Sequence, residues 1–316
     1  MIPLSRLRLL ALAPLLALAP TPQEEVPGPA PAADPAAAAR ALLDQADPAA
    51  RARWEALLAA SRGEADPPEP IQAFVLRADV SFREGMHRND AKIDYRYLSP
   101  HYLRIQLASQ RATGRGPGAG EQAYWLQDGE EIDHLVGREK REDRRLVDES
   151  LAIAKNFVAL SDPARLSLTR LELLAEPPAG LPRELEKLAR KKLAWLCVAS
   201  PDFALLPGEI ARGSEARRDF TVDLGLDRVT SLPVLAIVRE SRSRPAEGIA
   251  LPAEPMLIYL GAWRLQDGFQ VPWAIRVHFL DPQVPGGGFA ALPAQDIVLL
   301  EANLRPRFSP ADFAPE

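Results

Sequence analysis

The chain has 316 residues, 47% of them apolar, which is enough to bury a sizeable core and too apolar for disorder throughout. Lys and Arg number 38 against 43 Asp and Glu, a formal net charge of −5 with no long basic run. Phosphate binding draws its affinity from clustered cations, so nucleic acid is not an expected partner.

Residues 1–19 read as a secretory signal peptide: Arg6 and Arg8 give a positive start, residues 9–18 an apolar run, and Ala17-Leu18-Ala19 an A-x-A cleavage signal. The run is shorter than the ~20 residues that span a bilayer, which favours export over a retained anchor. Pro20 is an awkward neighbour for a cut after Ala19, so the cleavage position stays open. No cysteine adjoins the junction, so a lipoprotein acylation site is not expected, and the mature form should carry no stable membrane span. Residues 20–35 are a Pro/Ala-rich linker that cannot bury enough surface to fold. Residues 36–65 form an N-terminal helical extension with Leu42, Leu43, Trp54, Leu57 and Leu58 as its apolar positions. Asp47-Pro48 divides it, with Asp47 as N-cap and Pro48 at the first helical position of the second helix.

The proline-rich stretch 66–70 leads into the main domain, 70–316, and there the apolar period changes to two. Phe74, Leu76, Ala78, Val80 and Phe82 alternate with Arg77, Asp79 and Ser81; Ile93, Tyr95 and Tyr97 alternate with Lys92, Asp94 and Arg96. Leu103, Ile105 and Leu107 follow, then Tyr124, Leu126 and Ile132, separated by short connectors such as Asp128-Gly129. This describes an antiparallel meander with one apolar face and one wet face. The charged run 138–145, read as a solvated face, leads into an apolar helix over 146–160. Leu146, Ser150, Ile153 and Phe157 share one side of it, and Val147, Leu151, Ala154 and Val158 the next. A polar helix over 183–192 precedes an apolar run around Trp195. Cys197, in that run, is the only cysteine, so no intramolecular disulfide can form, and an apolar setting makes it a buried, inert thiol.

Strands return in the C-terminal half. Phe220 and Val222 alternate with polar neighbours, Leu235 and Ile237 precede Arg239, and Leu257, Tyr259 and Trp263 form one stripe. Val271, Trp273, Ile275, Val277 and Phe279 alternate with Gln270, Arg276 and His278, and a last strand covers 297–304. At least eight strands with few helices exclude a doubly wound fold and predict an α+β architecture.

No catalytic constellation emerges. The four histidines, His87, His101, His134 and His278, lack the spacing of a zinc helix. Gly114-Arg115-Gly116-Pro117-Gly118 lacks the Gly-Lys-Ser/Thr that grips a nucleotide and reads as a connector. Carboxylate pairs such as Glu130 with Glu131, or Asp143 with Asp148, are what 43 acidic residues supply by chance. The chain is therefore read as non-enzymatic, with no metal and no cofactor. The apolar stripe is instead rich in aromatics, and it fits two readings, a filled core or an apolar groove. The helix over 146–160 is about 22 Å long at 1.5 Å per residue, which bears on how much of a curved sheet it can cover.

In order and spacing these features resemble the periplasmic lipoprotein-carrier family with the LolA/LolB-like fold. The matching segments are the strand over 74–82, Ser99-Pro100-His101-Tyr102-Leu103-Arg104, and Tyr124-Trp125-Leu126-Gln127-Asp128-Gly129. They continue with the helix over 146–160, Asp267-Gly268-Phe269-Gln270-Val271-Pro272 and Glu301-Ala302-Asn303-Leu304. The resemblance covers about 71–313, with departures in the helical extension, the proline-broken insertion 242–255 and the loop 282–293. It implies a strongly curved antiparallel sheet, an open half-barrel lidded by helices, in a periplasmic protein. The implied partners are lipid acyl chains or lipid-modified proteins; an envelope protein partner is expected separately, on the scaffold reading, through an exposed strand edge or the Pro-rich N-terminal stretch. The expected concave face and lid comprise Phe74, Leu76, Phe82, Tyr95, Tyr97, Ile105, Tyr124, Leu151, Phe157, Trp263, Trp273 and Phe279. The alternative is a non-catalytic envelope scaffold whose core is packed shut.

Overall fold

A computed structural model describes residues 35–63, 69–84, 87–99, 102–109, 121–127, 131–136, 139–141, 156–200, 220–240, 255–281, 283–284 and 288–313. Over 121–141 it describes the course of the backbone alone. The signal peptide and nearly all of the linker read from the sequence lie outside these residues.

Asp47 ends one helix and starts the next. Helix α1 is Pro35–Gln45 and α2 is Pro48–Ser61. The Asp47 carboxylate accepts the backbone N–H groups of Ala49 at 2.8 Å and Ala50 at 3.2 Å, and Pro48 occupies the first turn, where its missing N–H costs nothing. Strands β1 (Ala73–Glu84), β2 (His87–Leu98), β3 (Tyr102–Ser109), β4 (Glu121–Gln127), β5 (Glu131–Val136) and β6 (Glu139–Arg141) follow as a meander. Helix α3 is described over 156–161; residues 142–155, most of the helix expected over 146–160, lie outside the described residues. Strand β7 (Arg170–Leu174), helix α4 (Arg183–Lys192) and strands β8 (Leu193–Ser200), β9 (Phe220–Asp227), β10 (Pro233–Glu240), β11 (Met256–Gln266), β12 (Phe269–Phe279) and β13 (Gln295–Asn303) complete the order.

The thirteen strands form one antiparallel sheet in the order β6-β5-β4-β3-β2-β1-β13-β12-β11-β10-β9-β8-β7. Two meanders, β1 to β6 and β7 to β13, are joined where the first strand pairs with the last, Leu76 opposite Ala302 and Val80 opposite Ile297. The edges are β6 and β7, so the sheet is open. Five neighbouring strands nevertheless face one cavity (below), so the sheet curls around it as a half-barrel with helices on its inner side. The β11–β12 hairpin turns on Asp267 and Gly268, with φ of 51° and 88°; two successive positive φ values match the twist of the flanking strands and favour glycine in the pair.

The outer side of the β1–β2–β13 region is polar and laced by Arg77, which reaches Asp94 at 3.0 Å and Glu301 at 2.8 Å. The alternation read from the sequence holds there. It does not extend to β8–β10. In that part Leu196, Val198, Leu224 and Ala236 pack inward, while Leu193, Trp195, Leu235 and Ile237 pack outward under α4 and Phe289. Trp195 lies so close over the backbone that a Cβ at Gly225 would meet its ring at 3.0 Å.

The stripe Leu257, Tyr259 and Trp263 also divides. Leu257 and Tyr259 join the outer cluster, and Met256, Ile258 and Leu260 face inward instead. Trp263 returns to the inner side because Ala262, at φ 52°, interrupts the extended backbone between them. Strand β6 arises inside the charged run expected to be only a solvated face.

Candidate apolar cavity

Strand alternation brings aliphatic side chains to one hollow. Phe74, Leu76, Ala78 and Val80 of β1, with Ile93 and Tyr95 of β2, form one wall. Ile297 and Leu299 of β13 join them to Pro272, Ile275 and Val277 of β12 and to Met256, Ile258 and Leu260 of β11. Asn156, Phe157 and Leu160 of α3 form the roof; their i, i+1, i+4 spacing puts them on one side of the helix. The hollow, which is partly open, measures about 160 Å³, and Asn156 and Gln295 are the polar side chains among those that line it.

One end is closed by rings. Phe74 stands at the centre, its centroid 5.6 Å from Tyr95, 5.2 Å from Tyr97 and 5.1 Å from Phe157, the last tilted by 59°. Burial pushes the Tyr97 hydroxyl above its ordinary pKa, so this end stays neutral at any physiological pH. The roof helix is anchored just beyond its last turn. Asp162, whose side chain is fully buried, accepts from the Arg62 guanidinium at 3.2 Å, and Arg62 follows α2 and bridges to Phe269 at the start of β12.

Of the residues expected on the concave face, Phe74, Leu76, Tyr95 and Phe157 line the cavity. Tyr97 and Ile105 are buried in the same hydrophobic cluster as these four and are not part of the lining. Trp273 packs against that same cluster, with the Arg264 guanidinium 4.2 Å from its ring centroid, and does not reach the cavity. Trp263, whose Nε1 donates to the Pro233 carbonyl at 3.0 Å, and Phe279 flank the neighbouring cluster, again outside the lining. The side chains of Phe82, Tyr124 and Leu151 lie outside the described residues. The lining that the expected set omitted is aliphatic. Ala78, Val80, Ile93, Ile275 and Val277 all stood in the alternating stripes, but Met256, Ile258 and Leu260 fell on the opposite parity from the stripe read in β11.

Chemistry elsewhere is sparse. Cys197 is buried, and burial, reinforced by the neighbouring Asp223 carboxylate, pushes its thiol up to about 12, which leaves it unreactive. Among the described residues no cluster of three or more His, Cys, Asp or Glu side chains is placed to hold a metal ion, and no helix is long and apolar enough to cross a membrane.

No protein-family model matches the sequence, and no curated protein matches it. Among solved structures, a LolA superfamily protein, NE2245 of Nitrosomonas europaea, aligns over 84% of this chain and 97% of its own at 11% identity, with a TM-score of 0.43. A DUF1329 family protein from Desulfovibrio piger aligns over 87% of this chain and 97% of its own at 13% identity, with a TM-score of 0.39. Both likenesses are distant.

Proposed function

We propose that the protein is an exported, non-catalytic carrier that holds an apolar molecule, a lipid acyl chain or the acyl chains of a lipid-modified protein, between its curved sheet and α3. The observation that carries this reading is the cavity itself: a packed-shut core would leave no room, and here about 160 Å³ stays open beneath Asn156, Phe157 and Leu160 of α3. An apolar cavity of this kind favours hydrocarbon by about 25 cal/mol for each Å² of apolar surface removed from water. The signal-like residues 1–19 support export, and in a chain of this type the periplasm is the destination the sequence suggests.

Filling the space tests the reading. The purified protein should enhance the fluorescence of N-phenyl-1-naphthylamine and lose it on addition of a saturated fatty alcohol. Ile297→Trp, placed on the lining strand β13, should weaken probe binding by about tenfold or more while the folded fraction is unchanged by circular dichroism. Uptake that is equal in wild type and Ile297→Trp would place the probe elsewhere and refute the assignment.

A further inference from the structure

The ion pair under the end of α3 is an odd device for holding a helix down. Asp162 is wholly buried, with one carboxylate oxygen paired to Arg62 and the other, Oδ2, without a hydrogen-bond partner. The adjacent Ser161 hydroxyl is likewise buried and unpartnered. A buried ionised carboxylate with half its acceptor capacity unmet favours any motion that brings it to water, and its nearest counter-charge, Arg62, opposes this. Asp162 also closes the backbone of the roof. Its N–H donates to the Val158 carbonyl at 2.8 Å, and its own carbonyl accepts from Arg165 at 3.1 Å. A shift at Asp162 is therefore transmitted to Phe157 and Leu160, which face the cavity one turn earlier.

Arg62 provides the restraint from a separate part of the fold. It caps α2 and pairs through its backbone with Phe269, and the next residue, Gly63, donates to the Gly268 carbonyl at 3.0 Å, so the backbone that carries its guanidinium is fixed to the β11–β12 hairpin. The charged groups facing Asp162 among the described residues are Arg62 and, at longer range, Arg165, whose guanidinium donates to the Ile71 carbonyl.

We propose that Arg62 and Asp162 form a charge-controlled latch on the cavity: the ionised Asp162 carboxylate drives the C-terminal end of α3 to lift, and Arg62 holds it down. This regulation rests on the apolar-ligand reading of the cavity. Three consequences follow in sign. Removing Arg62 loosens the roof, neutralising Asp162 tightens it, and neutralising both cancels. Burial raises the Asp162 pKa above its ordinary value, with Arg62 opposing, so the roof also settles as the pH falls through that raised pKa.

The test uses Arg62→Ala, Asp162→Asn and the double variant, each read two ways at neutral and mildly acid pH. The first is the dissociation rate of N-phenyl-1-naphthylamine; the second, which needs no ligand, is hydrogen exchange of the amides over 156–166. Arg62→Ala should speed both by about tenfold at neutral pH, with a smaller effect in acid. Asp162→Asn should be as slow as wild type or slower, and the double variant should return to within about threefold of it. A merely structural ion pair would make Asp162→Asn as damaging as Arg62→Ala and leave the double variant no better; that pattern overturns the proposal. If the wild type takes up no probe, the ligand reading fails, and hydrogen exchange alone still decides the latch.

Discussion

His278 is 5% exposed on the outer side of the sheet, opposite Leu257 in the β11–β12 pairing, and its Nδ1 lies 2.9 Å from the Ala290 carbonyl oxygen. A neutral ring that donates from Nδ1 satisfies that carbonyl. Burial lowers the imidazole pKa below its ordinary value, with the Ala290 contact opposing. The unfolded chain therefore takes up the proton first. Stability from this residue is complete above about pH 6.5 and is lost as the pH falls below it. His278→Gln should flatten the fall in melting temperature between pH 7.5 and 5.5, and an unchanged slope would show that the acid response arises elsewhere. Asp162 has the opposite sign, since its raised pKa makes acid stabilising at that point. The same scale shows why the cavity was only partly legible. Size drew attention to Trp263, Trp273 and Phe279, yet these three rings pack against the flanking clusters, and beside Phe74, Tyr95 and Phe157 most of the wall is left to Ala78, Ile258, Ile297 and other aliphatic side chains. Nothing in the sequence distinguishes a side chain that faces a void from one that faces a neighbour.

Helix α2 looked from the sequence like part of an extension set before the main domain. In the fold it supplies Trp54 and Leu57, 2% and 1% exposed, to the same core as Val198, Leu224 and Leu260. Its helical character and the Asp47 cap were readable locally, because capping depends on a few adjacent residues; its docking was not, because that depends on strands 100 to 200 residues away. Trp54→Ala should lower unfolding stability by about 3–5 kcal/mol, against about 1 kcal/mol for Asp47→Ala, in urea denaturation of the whole chain. A separate melting step for α2, with the sheet unaffected by Trp54→Ala, would contradict its place in the core. Strands β8 to β10 follow the same logic. Covered on both faces, they lose the alternation that marks half-buried strands, and a run such as Leu193–Ser200 shows no period to read. Alternation survives in β1 and β2, where Arg77, Asp79 and Lys92 remain on the wet side.

At the scale of the molecule, the antiparallel sheet class follows from many strands consecutive in sequence with few helices between them, and that order was visible. The pairing of β1 with β13, which brings the two meanders side by side and builds the cavity across the seam, is a contact between residues more than 200 positions apart. No local pattern encodes it; it arises because each meander has one oily face and the two bury most surface when continued as a single curled sheet. The hollow at that seam is the proposed ligand site. The most direct measurement is a crystal structure of the protein soaked with a terminally brominated fatty alcohol, with data collected at the bromine edge. One anomalous peak should lie between α3 and the side chains of Ile258, Ile275 and Ile297, and it should be absent from Ile297→Trp crystals. A cavity without bromine in wild-type crystals, while the alcohol still displaces probe in solution, would contradict the proposed site.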